Sequence, residues 1–167
     1  MMTKNRDPMD KYDWSRLNHL QVGRFAEYFV KMELTLYGFE VYTSEVDDRG
    51  IDFVSRRDDG PFFEVQVKSI RGFNYVFIPK DKTEIASHRL AAVVLLHQSQ
   101  APEFYLIPMT AWAKPNKLFV SRDYEGKKSK PEWGLNLSPA NQTLLNPFQF
   151  HLVAPTLRPL ESVAKDI

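Results

Sequence analysis

The chain contains no cysteine, few glycines and no long apolar run. Of its 167 residues none is cysteine and 7 are glycine. Without cysteine there is neither a disulfide nor a thiolate metal site. No apolar run approaches the roughly 20 residues that span a bilayer, and the polar first residues lack the apolar core of a signal peptide. We therefore expect a soluble, cytoplasmic protein with no membrane partner.

The chain also has no large excess of charge of either sign. Its 22 basic residues are nearly balanced by 21 acidic ones, for a formal net charge of +1. The chain therefore has no overall positive field of the kind that indicates a nucleic-acid partner. If it binds nucleic acid, a local basic patch has to do so. The hydrophobic fraction is 43%, which suits one well-packed domain at this chain length. We expect a single domain over residues 1–167.

A long helix over residues 15–37 is the first element that the sequence predicts, and Gly38 is its stop signal. Its polar residues fall on one narrow face, so we expect the helix to be buried on most of its sides. Glu27 lies at the border of the apolar arc and Glu33 lies inside it. A carboxylate there needs a partner, and a nearby Lys or Arg would be a sufficient explanation for either.

Short β runs follow Gly38. The residues Asp58-Asp59-Gly60 signal a hairpin, and the almost wholly apolar run at 90–97 is typical of a central strand covered on both faces. The order of helix, strands, helix and strands predicts an α/β domain around a mixed β-sheet. The predicted strands cover residues 39–43, 50–57, 61–69, 74–78, 90–97 and 103–107, with helical segments at 83–87 and 108–112 and a short strand after 117.

Residues 50–69, GIDFVSRRDDGPFFEVQVKS, combine a lone Asp with a regular polar pattern. Because a strand has a period of two, Glu64, Gln66 and Lys68 point to one side while apolar residues point to the other. Taken alone, this pattern is typical of a strand that faces water. Asp52 is equally compatible with an outward strand position after a turn at residues 47–50.

The combination of these residues favours a metal site. A hairpin would bring the strand of Asp52 alongside that of Gln66, and the upstream helix could direct Glu27 toward the same point. Carboxylate and amide oxygens suit Mg²⁺ or Mn²⁺. An adjacent lysine such as Lys68 can orient a water molecule or stabilise a phosphate. This set of groups indicates phosphodiester hydrolysis.

At these positions the sequence resembles the PD-(D/E)xK nuclease superfamily, through GRFAE in the first helix, GID at the second strand and EVQVK in the third. The likeness is greatest to the Holliday-junction-resolvase and Mrr-like branches, in a variant with Gln in the (D/E)xK position. It implies a restriction-endonuclease-like core over residues 17–100 and a DNA nuclease that uses Mg²⁺ or Mn²⁺. By this resemblance Glu27 and Asp52 are metal ligands, Gln66 is a neutral ligand and Lys68 is the catalytic lysine.

The superfamily core does not explain residues 101–167, which we expect to form a C-terminal extension rich in strands and loops. Its segment KKSKPEWGLNLS resembles an extension of a bacterial subgroup. The neutral Gln66 in place of a carboxylate predicts weaker metal binding. Glu64, two residues away on the same face, is a further candidate: it could bind a second metal ion or pair with Arg49 or Arg71.

Two basic patches are candidates for contact with DNA. Residues 68–82 interleave basic side chains with aromatic ones, as beside a groove that follows a nucleic-acid backbone; burial of those aromatics in the core is the alternative. Residues 127–133 carry three lysines and a tryptophan, a pattern also typical of a solvated loop. The alternative function is a catalytically inactive nuclease fold that binds nucleic acid or protein. Homodimerisation is left open.

Overall fold

The computed structural model describes residues 10–46 and 49–157, so the predicted turn at 47–50 lies partly outside the described residues. None of the helices in these ranges is long and apolar enough to cross a membrane. The elements are α1 (His19–Leu36), β1 (Phe39–Thr43), β2 (Phe53–Arg57), β3 (Phe63–Arg71), β4 (Tyr75–Pro79), β5 (Arg89–Leu96), β6 (Glu103–Pro108), β7 (Phe119–Arg122), β8 (Glu132–Asn136) and α2 (Phe150–Val153), with 3₁₀ segments at Trp14–Arg16, Met109–Ala113, Gln142–Phe148 and Ala154–Thr156.

Two β-sheets form the framework. The central sheet has five strands in the order β1-β2-β3-β5-β6, and the smaller sheet has three in the order β4-β8-β7. In the central sheet β3 and β5 are parallel and the other neighbours are antiparallel. Helix α1 shares a core with one face of the central sheet, and the smaller sheet shares a second core with the opposite face. The predicted α/β class with a mixed sheet is confirmed.

Strand β5 lies at the centre because its side chains fill both cores. Leu90, Ala92 and Val94 pack on the side of α1, whereas Ala91 and Val93 pack against the smaller sheet. A strand buried on both faces needs no polar alternation. The predicted central strand is therefore confirmed, with bounds one residue earlier than expected.

Helix α1 is shorter and more exposed than predicted. It begins at His19 because Asn18 and Gln21 form a capping box, each side chain accepting from the other's backbone N–H. It ends at Leu36, and Gly38, two residues later, has a φ of +83°, which favours glycine. The expectation of burial on most sides was wrong, because the sheet covers only one stripe of the helix. Val22, Ala26, Val30 and Leu34 are buried, whereas Leu20, Tyr28, Met32 and Leu36 are exposed.

The connection from β3 to β5 also differs from the prediction. Residues 80–88, all of which are described, have turns at 80–82 and 87–88 and no regular structure at 83–86, where a helix was expected at 83–87. Trp133 Nε1 donates to the carbonyl of Thr83 at 3.0 Å, and Arg89 Nη1 donates to the carbonyl of Lys82 at 3.1 Å. These side chains satisfy carbonyls that a helix would pair with its own N–H groups. Strand β4, which occupies the rest of this connection, pairs with the unpredicted strand β8.

Candidate nuclease site

The pairing of β2 with β3 ends at Asp52. The last backbone bond of the pair runs from the N–H of Asp52 to the carbonyl of Val65, at 2.9 Å. The next donor along β3, the N–H of Val67, donates to Asp52 Oδ2 at 2.6 Å. The carboxylate thus takes the position that a backbone carbonyl of β2 would hold in a continued ladder. This contact fixes Asp52 at the edge of β3, between the positions of Gln66 and Lys68.

Strand β3 presents its polar residues away from α1. Phe63 and Val65 pack in the core beneath α1, whereas Ile70 packs in the core of the smaller sheet. Alternation along the strand therefore places Gln66 and Lys68 on the side of the smaller sheet. Any approach of Glu27 to these residues has to pass around the edge of β3 where the ladder ends.

Glu27 and Lys68 line a common groove of about 380 Å³. One wall of this groove comes from α1 and the other from β4, and Val67, Lys68 and Ser69 of β3 lie between them. Val67, whose N–H binds Asp52, is also part of the lining. The remaining lining residues are His19, Gly23, Ser69, Tyr75, Val76 and Phe77.

Glu27 is held by its own helix. Its Oε2 lies 2.8 Å from Nη1 of Arg24, one turn earlier, and its side chain is 25% exposed. Because Arg24 is 64% exposed, the pair is screened by water and adds little stability. The pairing with a nearby arginine explains a carboxylate at this position, and Glu27 remains one of the residues that line the groove.

Gln66 lies in a neighbouring cavity. It contributes to a small space of about 10 Å³, together with Gly50, Ile51 and Thr83. Its amide Oε1 is buried and has no hydrogen-bond partner within the described residues. Gln66 is thus next to the groove but is not one of the residues that line it.

Glu64 points into the same small cavity, and its partner is Arg89. Glu64 Oε2 lies 2.7 Å from Arg89 Nε, and the two residues are opposite each other in the parallel β3–β5 register. Arg71, one of the two partners weighed from the sequence, instead donates to the carbonyl of Leu17 at 3.0 Å. The structure therefore gives Glu64 a neighbour that sequence reasoning missed, because the register of a parallel pair has no local sequence signal.

No protein-family model and no curated protein matches the chain. A Holliday junction resolvase from the archaeal hyperthermophile Archaeoglobus fulgidus matches with a TM-score of 0.50 and 14% identity, over 80% of this chain and 95% of that chain. A bacterial homing endonuclease matches with a TM-score of 0.49 and 15% identity, over 84% and 94%. The chain has a restriction-endonuclease-like fold. At such identities the likeness concerns the fold alone, and function has to be argued from the site.

The oxygen donors near the ladder end of this restriction-endonuclease-like fold suit a hard divalent cation. Within residues 10–46 and 49–157, no three His, Asp or Glu side chains form a metal-binding group. The donors present are the carboxylates of Glu27 and Asp52 and the unpartnered amide oxygen of Gln66. Mg²⁺ is commonly bound through one or two carboxylates and several waters. By type, two carboxylates and one amide oxygen are donors that Mg²⁺ or Mn²⁺ accepts.

The β4 wall of the groove has a polar network that sequence reasoning did not identify. Tyr75 donates to Oε1 of the buried Glu132 at 2.5 Å, and Tyr124 donates to the same oxygen at 2.8 Å. Burial, followed by the bond to Glu132, raises the pKa of Tyr75 well above its usual range. Tyr75 is therefore a hydrogen-bond donor at neutral pH. The sequence singled out Tyr75 only as one of several aromatics in a basic patch.

Proposed function

We propose that this protein is a metal-dependent nuclease that hydrolyses phosphodiester bonds of DNA. The observation that carries the proposal is the Asp52 carboxylate, which accepts from the Val67 N–H at 2.6 Å beside the groove lined by Glu27 and Lys68. Two carboxylates for a cation and one ammonium group for a phosphate are the components that metal-assisted hydrolysis requires.

The positions of the side chains support a separate role for each of them in this proposal. Glu27 and Asp52 would hold Mg²⁺ or Mn²⁺, and the amide oxygen of Gln66 would add a neutral donor. The bound cation would act as a Lewis acid and lower the pKa of a coordinated water. Lys68 would bind a non-bridging phosphate oxygen in the groove, where its charge offsets the charge that develops during hydrolysis.

The fold and the motifs together support a DNA substrate. The Archaeoglobus fulgidus protein of similar fold is a Holliday junction resolvase, and the sequence motifs resemble the resolvase-like and Mrr-like branches of the superfamily. We assign the chain to that group, in its bacterial QxK subgroup, as a cytoplasmic protein. In this proposal residues 17–100 form the nuclease core of a single domain. Sedimentation analysis would show whether the protein acts as a homodimer.

A cleavage assay with a matched control tests the proposal. Supercoiled, linear, branched and single-stranded DNA are incubated with the parent protein in millimolar Mg²⁺ or Mn²⁺. We expect cleavage of at least one DNA, and a loss of about 100-fold or more in Asp52→Asn. Asp58→Asn is the control, because Asp58 lies at the other end of the β2–β3 hairpin and its side chain is 78% exposed. No metal-dependent cleavage by the parent, or equal cleavage by both variants, would contradict the proposal.

The second candidate is a nuclease fold that binds DNA or protein without cleaving it. Two observations favour it: Gln66 stands where the superfamily pattern has a carboxylate, and the described residues contain no group of three acidic or imidazole ligands. Such a protein would bind DNA equally in EDTA and in Mn²⁺ and would leave every DNA in the assay intact.

A further inference from the structure

The outer face of the three-stranded sheet presents an arginine that is oriented by two aromatic side chains, is attracted by the nearby Glu132, and forms no salt bridge with any described carboxylate. Arg122 of β7 is exposed, its guanidinium carbon lies 4.3 Å from the ring centroid of Tyr75, and its Nη1 lies 3.4 Å from the hydroxyl of Tyr124. Within the described part of the chain Arg122 forms no salt bridge. Glu132, opposite it in the register, already accepts from two phenols.

A glycine beneath the Tyr75 ring makes this arrangement possible. Tyr75 lies so close to Gly134 that a Cβ added there would overlap the ring and its hydroxyl. The ring is therefore fixed from below by Gly134, at its hydroxyl by Glu132, and against the guanidinium of Arg122. A guanidinium held against an aromatic ring loses less conformational entropy when it binds a ligand.

This face is continuous with the groove. Tyr75 and Phe77 line the groove together with Glu27 and Lys68, and Phe77 is 49% exposed. Because Arg122 packs on the Tyr75 ring, one aromatic ring separates its charge from the groove. A strand of nucleic acid that leaves the groove over β4 would thus meet this guanidinium.

The turn between β7 and β8 extends the positive charge. Lys127 and Lys128 are exposed and form no salt bridge in the described residues. Two neighbouring lysines are neutralised instead: Lys80 lies 2.6 Å from Asp123, and Lys130 lies 3.0 Å from Asp81. Among the described basic residues of β7 and the β7–β8 turn, Arg122, Lys127 and Lys128 are thus the ones without a salt bridge, and Glu125 is an exposed acid in the same turn.

We propose that Arg122, Lys127 and Lys128 form a phosphate-binding arm that holds the DNA backbone where it leaves the groove, with Tyr75 as the positioning residue for Arg122. The proposal rests on the proposed function for its choice of DNA as the ligand. A guanidinium fork matches phosphate oxygens, and contacts to phosphates position a nucleic acid without reading its sequence. Since β7 and β8 lie in the extension that the superfamily core did not explain, this arm gives that extension a function.

Salt-dependent binding tests the arm separately from catalysis. Fluorescent duplex and single-stranded DNA are titrated with protein in EDTA, between about 50 and 200 mM salt. We expect Arg122→Gln to weaken binding about ten-fold and to lower the slope of log affinity against log salt by about one. Arg122→Lys should restore part of the affinity, because it keeps the charge but loses the fork.

Arg56→Gln is the matched control. Arg56 also packs on an aromatic ring, with its guanidinium carbon 4.8 Å from the centroid of Phe62, but it is paired with Glu40 at 3.2 Å. It lies on β2, four residues beyond Asp52 and outside the groove. This variant loses the same charge and should keep the parental slope. The double variant Lys127→Gln/Lys128→Gln keeps the Tyr75 stack intact and should lower the slope even if Arg122→Gln fails to fold.

The outcomes separate this proposal from the proposed function. If the variants of Arg122, Lys127 and Lys128 show the same slope of log affinity against log salt as Arg56→Gln, the proposed phosphate-binding arm is wrong. This holds whether or not the parent cleaves DNA. If DNA binding depends on Arg122 but the parent cleaves no DNA in Mn²⁺, the proposed arm is supported and the proposed nuclease function is contradicted. A parent protein that binds neither duplex nor single-stranded DNA would overturn the arm as well.

Discussion

The carboxylate of Asp52 accepts a hydrogen bond from the backbone N–H of Val67 at 2.6 Å. This bond joins the fold to the candidate site, because it both ends the β2–β3 ladder and fixes a carboxylate beside the groove. Its donor belongs to the main chain of β3, so substitutions on the face of the sheet would not displace it. Asp52 thus has a structural role that is separable from its proposed role as a metal ligand.

The first prediction separates these two roles by comparing Asp52→Ala with Asp52→Asn. Alanine leaves the Val67 N–H without its acceptor, and we expect this to destabilise the protein by about 1–3 kcal/mol. Asparagine keeps an oxygen acceptor and should cost less than half as much. Urea denaturation in EDTA measures both values. Equal destabilisation by the two variants would mean that the hydrogen bond contributes little to stability.

Much of the central sheet could be predicted because the pattern of apolar residues within each strand identifies it as a strand. The bounds of β1 were predicted as observed, and β5 and β6 within one residue, since continuous or alternating apolar residues define them. Strand β8 had no such signal: its five residues include Gly134 and follow a charged turn. It forms because β4 and β7 pair with it from both sides, and such distant pairing is not encoded in the strand itself.

The candidate site was accessible to sequence reasoning in part. The spacing of Asp52, Gln66 and Lys68 follows from a hairpin, and the structure places Glu27 and Lys68 in one groove. The contact of Asp52 with a backbone N–H could not be predicted, because it depends on where the ladder ends. The packing of Tyr75 over Gly134 was equally inaccessible, because these residues are far apart in the chain.

The second prediction concerns Gln66→Glu. A full charge in place of an amide dipole should tighten the binding of Mg²⁺ or Mn²⁺ by about ten-fold or more if residue 66 contacts the cation. Titration calorimetry measures the change. Gln100→Glu, an exposed position in the β5–β6 connection, controls for the added net charge. If neither variant changes the affinity for Mg²⁺ or Mn²⁺, Gln66 is not a ligand of the cation.

The third prediction compares two glycines. Gly134→Ala places a methyl group where the Tyr75 ring lies, and we expect a loss of about 1–3 kcal/mol of stability. Gly23→Ala should instead stabilise α1 by about 0.5–1 kcal/mol, because no atom lies within 4 Å of its added Cβ. Thermal melts in EDTA give both shifts. A Gly134→Ala variant as stable as the parent would show that the Tyr75 stack is not rigid.

The fourth prediction is a pH dependence. Burial and the bond to Glu132 raise the pKa of Tyr75 above its usual value, so its stabilising contribution is complete below about pH 10 and is lost as the pH rises further. Tyr75→Phe should therefore be less stable than the parent at pH 8 by about 1 kcal/mol, and the difference should shrink above pH 10. Tyr28→Phe, at a tyrosine that is 61% exposed, should show no such trend. A constant difference across this range would argue against the raised pKa.

Thermal melting of the parent and of Asp52→Asn tests most directly whether Asp52 binds a divalent cation. Each protein is melted in EDTA and in millimolar Mn²⁺, with Asp58→Asn as the control. We expect Mn²⁺ to raise the melting temperature of the parent and of Asp58→Asn, because a ligand that binds only the folded state stabilises it. Asp52→Asn should melt in EDTA close to the parent and lose the Mn²⁺ shift. Equal Mn²⁺ shifts in all three proteins would exclude Asp52 as a ligand and contradict the proposed function.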